Sequence, residues 1–228
     1  MPRIARGRLD RGWFHVLNRG NHRQWLFHQP EDYAQFLQLL SDSIPKFSVT
    51  LWGYCLMGNH WHLVVEVEGM THLSRWMHWV CNRHVRLVHR DNQSLGGGHI
   101  YQGRYKSFPI QDEGYLHNVL RYVEANPLRA KLVSRAEDWL WSSLSTAPAR
   151  DGLLEVARPK LAAWERTDAW RQEVNRPFSL ANLDSLRQSV VRGTPQGQPQ
   201  WIADLTANHD MESTVRPRGR PRKPPIQE

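Results

Sequence analysis

The chain has 228 residues, of which 40% are hydrophobic and 23% charged, with 11 Trp and only two Cys. That suits one ordinary domain with extensions and gives no basis for a disulfide framework or a CxxC metal site. No apolar run approaches the ~18–20 residues of a membrane-spanning helix, and the charged start MPRIARGRLDRGWF lacks the apolar stretch of a secretory signal, so a reducing cytoplasm is the expected location. The net charge of +8 is uneven: 18 Lys/Arg against 12 Asp/Glu in residues 1–150, 7 against 9 in 151–212, and 5 against 1 in 213–228. A basic body and tail around an acidic connector point to a polyanionic partner, above all nucleic acid, although a merely soluble basic protein would show the same balance. Eleven of the 12 His lie in residues 1–117, which places the expected chemistry in the first half.

In chain order, Trp13–Leu17 alternates bulky residues and runs into the turn cluster Asn18-Arg19-Gly20-Asn21, which predicts a strand and a loop. Pro30-Glu31-Asp32 opens a helix carrying Phe36, Leu37, Leu40 and Ile44 at helical spacing, with Pro45 at its end. Phe47–Met57 is β-rich, Gly58-Asn59 reads as a two-residue turn whose residues take φ > 0, and His60–Glu68 returns as a strand. A second helix is predicted over Thr71–Arg90, its apolar stripe made by Leu73, Trp76, Met77, Val80, Leu87 and Val88. Gly96-Gly97-Gly98 reads as a linker, since no GK[ST] follows it. Ile100–Ile110 is a final strand with basic residues, and Asp112–Asn126 a third helix stopped by Pro127. The order β-α-β-β-α-β-α predicts an α+β protein: a ferredoxin-like split βαβ antiparallel sheet with helices on a face. Beyond Trp139 prolines punctuate short helical segments such as Leu180–Val191, giving an accessory helical region over 146–212. The basic tail 213–228 has no hydrophobic pattern and is expected to be disordered alone.

His60 and His62 are two apart on a strand, so both imidazoles point to one face, where they can chelate a divalent ion or simply be satisfied histidines; Trp61 points to the other, core face. On the third helix Tyr115, Asn118, Tyr122 and Asn126 form a polar stripe beside the core stripe Leu116, Leu120 and Val123. Tyr122 and Asn126, four apart, share one face, and a tyrosine there serves either packing or chemistry. Arg19, Arg23, Arg83, Arg86, Arg104 and Lys106 are candidate DNA contacts, or solvated surface charges. In the tail, Arg218 and Arg220 belong to a Pro-Arg-Gly-Arg-Pro run that fits a narrow minor groove as an AT-hook-like segment, or acts as a generic polybasic tail.

Three motifs in order, GNHWHLV (58–64), YQGRYKS (101–107) and YVEANPLRA (122–130), resemble the REP-associated tyrosine transposases, relatives of the single-tyrosine HUH insertion-sequence transposases. The resemblance extends over about residues 10–145, from Asn18-Arg19-Gly20-Asn21 to Trp139-Leu140-Trp141-Ser142-Ser143, and RPRGRPRK (216–223) resembles the tail of one branch. It implies a catalytic domain over 10–145 and a DNA strand transferase that acts on single-stranded, hairpin-forming repeats. In that reading His60 and His62 are the HUH metal pair, Tyr122 and not Tyr115 is the nucleophile, and Asn126 is the third ligand of a Mg²⁺ or Mn²⁺ ion. Asn126 precedes Pro127, a position biased away from helical geometry. The metal would polarise the scissile phosphate, and Tyr122 would form a 5′-phosphotyrosyl link and release a 3′-OH that can reverse or exchange strands. A tyrosine, with a reference pKa near 10, needs help losing its proton. Glu66, on the same strand face as the histidines, is either that base or an ordinary solvated carboxylate. The sequence leaves oligomeric state open, with a monomer favoured, and it leaves two other functions: a non-catalytic repeat-DNA-binding protein, and a metal-dependent nuclease that uses water.

Overall fold

The computed structural model describes residues 9, 11–91, 98–145, 161–162 and 164–216. Four strands, β1 (Gly12–Arg19), β2 (Thr50–Met57), β3 (His60–Val67) and β4 (Lys106–Ile110), form one antiparallel sheet in the order β2-β3-β1-β4, the order a split βαβ unit produces. Helix α1 (Pro30–Phe47) joins β1 to β2, and α2 (Met70–Asp91) precedes β4. Then come α3 (Glu113–Glu124), the single turn α4 (Asn126–Arg129), α5 (Asp168–Asn175), α6 (Leu180–Arg192) and α7 (Pro199–Asn208).

Strand alternation divides the core. Phe14, Val16, Tyr54, Leu56, Trp61, Leu63 and Val65 face α1 and α2, which contribute Phe36, Leu40, Leu73, Trp76 and Val80. The other face carries Cys55, Met57, Val64 and Ile110 and is covered by Leu116, Val119, Leu120 and Val123 of α3. Trp170, Val174 and Leu186 of α5 and α6 join this second core, so the C-terminal helices thicken the α3 layer. Trp61 is buried, as its parity requires.

The sheet leaves neither edge bare. Beyond β2, Leu56 N–H donates to Trp141 O and Ser143 N–H to Tyr54 O; beyond β4, Gln111 N–H donates to Gln196 O and Gln196 N–H to Pro109 O. Covered edges remove the unpaired ladder that promotes edge-to-edge association.

Four local expectations are corrected. The last strand begins at Lys106, not Ile100: the ladder breaks over residues 103–105, Tyr101 pairs with Gly20 only as an isolated bridge, and Ile100 O accepts from Asn21 N–H and the Gln24 side chain in the loop after β1. Gly58 and Asn59 do form the two-residue turn between Met57 and His60, but neither has positive φ. Gly58 is there for space: a Cβ on it would lie 2.7 Å from the Trp25 ring. Pro45 sits inside α1, which ends two residues later at Phe47 and is capped by Ser48 in the left-handed conformation. Pro127 does not stop the helical path; α3 closes at Glu124 and α4 restarts at Asn126 with proline in its first turn, where a missing N–H costs nothing. The Gly96-Gly97 linker, residues 146–160 of the accessory region and the tail arginines Arg218 and Arg220 lie outside the described residues.

Helix α3 starts where the sequence places it. Asp112 Oδ1 accepts from the N–H groups of Gly114 (3.0 Å) and Tyr115 (3.2 Å), satisfying two donors the first turn cannot pair internally. Asp112→Ala is therefore expected to lower stability by about 1 kcal/mol. Urea unfolding should show an earlier midpoint at unchanged slope, and an unmoved midpoint would remove the cap from the account.

Candidate active site

Antiparallel register sets His62 opposite Leu17 and Cys55, and His60 opposite Arg19 and Met57, at the end of the sheet where β1 and β3 meet the Gly58-Asn59 turn. Both imidazoles share the face covered by α3, and Tyr122 comes down onto them, its ring centroid 6.2 Å from that of His62. Tyr122 is buried, and its ring also meets His15 at 6.3 Å and Phe178, in the segment between α5 and α6, at 6.4 Å.

Each histidine is oriented by a neighbour. His60 Nδ1 lies 2.6 Å from Asn59 Oδ1, and the Asn59 amide nitrogen donates to Arg23 O. The amide oxygen can only accept, so the His60 proton sits on Nδ1 and the Nε2 lone pair is available to a ligand. His62 Nδ1 lies 2.8 Å from His15 Nε2 in a fully buried contact, and His15 Nδ1 is a buried atom without a partner among the described residues. Neither His60 Nε2 nor His62 Nε2 makes a hydrogen bond among the described residues.

All three rings are held neutral. Burial pushes His15 down to about 3. Burial first, then the charges of Arg19 and Arg129, push His60 down to about 4. His62 is lowered well below the usual range by burial, by the adjacent His15 and His60, and by the same two arginines. Neutral imidazole is the form that donates a lone pair to a metal.

Asn126 takes up helical geometry despite Pro127, and its side chain explains how. Pro127 has no N–H for the end of α3; Asn126 Nδ2 instead donates to Tyr122 O (3.2 Å) and Val123 O (3.4 Å). This commits the amide nitrogen and leaves Oδ1, a hard oxygen suited to Mg²⁺ or Mn²⁺, without a partner among the described residues. Among the described residues no three His, Cys, Asp or Glu side chains gather as a metal cage. His60 Nε2, His62 Nε2 and Asn126 Oδ1 are left without a hydrogen-bond partner among the described residues, and imidazole nitrogen and amide oxygen are both atoms a divalent ion accepts.

The basic candidates separate by position. Arg19 stands across from His60 and its charge acts on both histidines, and the backbone carbonyl of exposed Arg23 accepts from the Asn59 amide. Arg83 lies over the Trp79 ring at 4.4 Å and Arg86 is exposed on the same helix, but α2 is on the far side of the sheet from Tyr122. Arg104 is exposed before β4 and lines a groove of about 1100 Å³ with Asn18, Gly69, Met77 and Tyr105, also on the α2 side. Lys106 Nζ donates to Val190 O and Val191 O, so it serves the C-terminal end of α6. Glu66 pairs with Arg11 at 3.0 Å, four residues along β3 from His62, roughly 13 Å at strand rise, and so is not the base for Tyr122. Tyr115 is half-buried against the α3 core.

The sequence reading missed four groups. Asn59 orients His60 and His15 contacts His62; His15 has the parity of a site-facing residue on β1, but its partner is visible only once β1 and β3 are in register. Arg129 lies over the Tyr122 ring at 4.1 Å. Its spacing of seven from Tyr122 was a helical signal hidden by the Asn-Pro break. Glu124, next to the motif tyrosine, is buried on the opposite side of α3 and accepts from Ser143 Oγ (2.6 Å), Trp170 Nε1 (2.7 Å) and Arg166 Nε (2.8 Å).

The fold and site together define an α+β protein with a helix-borne tyrosine set between the neutral His62 and His15 rings and the Arg129 guanidinium. The family model for IS200-like transposases matches residues 9–126, just over half of the chain, and the protein belongs to that family. No curated protein matches it. A solved structure described as a REP-associated tyrosine transposase bound to a REP hairpin is similar at 16% identity and a TM-score of 0.46, over 74% of this chain and 92% of that one. Among the described residues no helix is long and apolar enough to cross a membrane.

Proposed function

We propose that this transposase-family protein is of the REP-associated kind and cleaves and rejoins single-stranded, hairpin-forming repeat DNA through a covalent link to Tyr122. The observation that carries the reading is the convergence of the Tyr122 ring, two neutral imidazoles with free Nε2 atoms, and Arg19 and Arg129 at one end of the sheet. Two positive charges beside the tyrosine and the neutral imidazoles form a site for a phosphate diester, where charge-assisted hydrogen bonds are strongest.

Tyr122 Oη attacks phosphorus, the bond from phosphorus to the 3′ oxygen breaks, and the phenolic proton ends on that oxygen: the upstream segment leaves with a free 3′-OH while the downstream segment stays joined to the tyrosine through its 5′ phosphate. The number of phosphodiester bonds is conserved, so the 3′-OH can reverse the step without an external energy source. His60 Nε2, His62 Nε2 and Asn126 Oδ1 would hold a divalent ion, which supplies Lewis-acid polarisation of the phosphate when bound. Arg129 pins the ring from above and offers a guanidinium to the phosphate oxygens. The ordered motifs support a repeat hairpin as substrate, and a locally free backbone is what in-line attack needs: opening a duplex costs roughly 1.4 kcal/mol per base-pair step.

Cleavage of a labelled hairpin on a single strand, compared with linear duplex of the same sequence, tests the reading. The hairpin strand is expected to be cut and the duplex left intact. Equal or faster cutting of the duplex would favour a water-using nuclease. The metal set has its own readout. His60→Ala and His62→Ala are each expected to weaken Mn²⁺ binding about tenfold or more in calorimetric titration. Unchanged Mn²⁺ affinity in both would reject the donor set.

A further inference from the structure

Of the 11 Trp, ten are buried or half-buried, and Trp25 alone is exposed, at 61%. Its position is nevertheless fixed. The next two residues, Leu26 and Phe27, are buried, and both of their N–H groups donate to Gly58 O, at 2.7 and 3.1 Å. Its benzo edge, Cε3 and Cζ3, packs so closely on Gly58 that any larger residue there would displace it. No other aromatic ring stacks on Trp25 among the described residues. The indole is thus anchored on one side to the turn that leads, two residues later, into His60, and open on the other. Arg23 and Arg19, both exposed, lie on the same loop and strand end.

We infer that Trp25 is a stacking platform for an unpaired nucleobase within one or two nucleotides of the phosphate presented to Tyr122. The inference rests on the proposed DNA-cleaving function and adds to it the residue that seats the single-stranded flank. Gly58 and His60 are two residues apart across the turn, at most roughly 7 Å, a spacing at which a base on the indole and a phosphate at the histidines belong to neighbouring nucleotides. An aromatic face accepts any base, and flanking guanidinium groups take the backbone, which is how single strands are held without sequence readout.

The test measures binding of the full chain, by fluorescence anisotropy, to a DNA hairpin carrying a five-nucleotide unpaired flank and to the same hairpin ending in its stem. Wild type is expected to bind the flanked hairpin more tightly. Trp25→Ala should weaken that complex about tenfold, the effect of one lost base–aromatic stack, and leave the stem-only complex unchanged. Trp25→Phe should restore part of the loss, and an abasic flank should weaken wild type but not Trp25→Ala. If Trp25→Ala keeps the wild-type advantage for the flank, or loses both substrates equally, the platform is rejected while the proposed function stands. If wild type binds neither hairpin, the proposed function falls and the platform with it.

Discussion

Tyr122→Phe is expected to bind hairpin DNA like the wild type and to form no covalent adduct at all. The phenyl ring keeps the contacts with His62 and His15 and the stacking of Arg129, while the hydroxyl it lacks makes no hydrogen bond among the described residues. Stability and binding should therefore stay near wild type, and only the attacking oxygen is lost. Tyr115→Phe should retain full adduct formation, because Tyr115 is seven residues earlier and packs against the α3 core. Denaturing gels with end-labelled hairpin strand separate the outcomes. An adduct with Tyr122→Phe, or its loss only with Tyr115→Phe, would show that the nucleophile is elsewhere.

Glu124→Ala is expected to be the most destabilising single substitution in α3. The carboxylate is fully buried and takes hydrogen bonds from Ser143, which covers the β2 edge, from Trp170 of α5, and from Arg166, whose Nη2 also donates to Trp52 O. One side chain thus ties α3 to the segment covering the sheet edge and to the C-terminal helices. Removing it leaves a nearly buried guanidinium, a hydroxyl and an indole N–H without their acceptor, which costs about 3–5 kcal/mol for the broken ion pair. At this chain length that corresponds to a melting temperature lower by roughly 10 °C. Glu124→Gln keeps an acceptor oxygen and should fall between the two. A melting temperature for Glu124→Ala within about 2 °C of wild type, a change of roughly half a kcal/mol, would contradict the clamp.

Local patterns carried much of this architecture. Alternation, helix starts at Pro30 and Asp112, and the order of elements were enough for the split βαβ sheet, because period and capping are properties of neighbouring residues. His60, His62 and Tyr122 were legible for the same reason, each marked by spacing or by its motif. What the sequence could not express was partnership across register. His15 beneath His62 depends on how β1 pairs with β3, and Glu124 depends on where Arg166, 42 residues later, folds back. Lys106 reads as an exposed strand cation until α6 is in place and takes its ammonium at a helix end. Gly58 misled in another way: a Gly-Asn turn has a local explanation in φ, whereas this glycine answers to the Trp25 ring packed against it. The pattern suggests that residues which position a site are harder to read than residues which line it, since the former are defined by contacts distant in sequence.

The most direct test of the account is to locate the covalent bond. Full-length wild-type protein is incubated with labelled single-stranded hairpin DNA and Mn²⁺, the adduct is isolated from a denaturing gel and digested with protease, and the nucleotide-bearing peptide is identified by mass spectrometry. The account predicts a single modified residue, Tyr122, carrying the 5′ phosphate of the cleaved strand. Cleavage without any adduct, or an adduct on another residue, would contradict it.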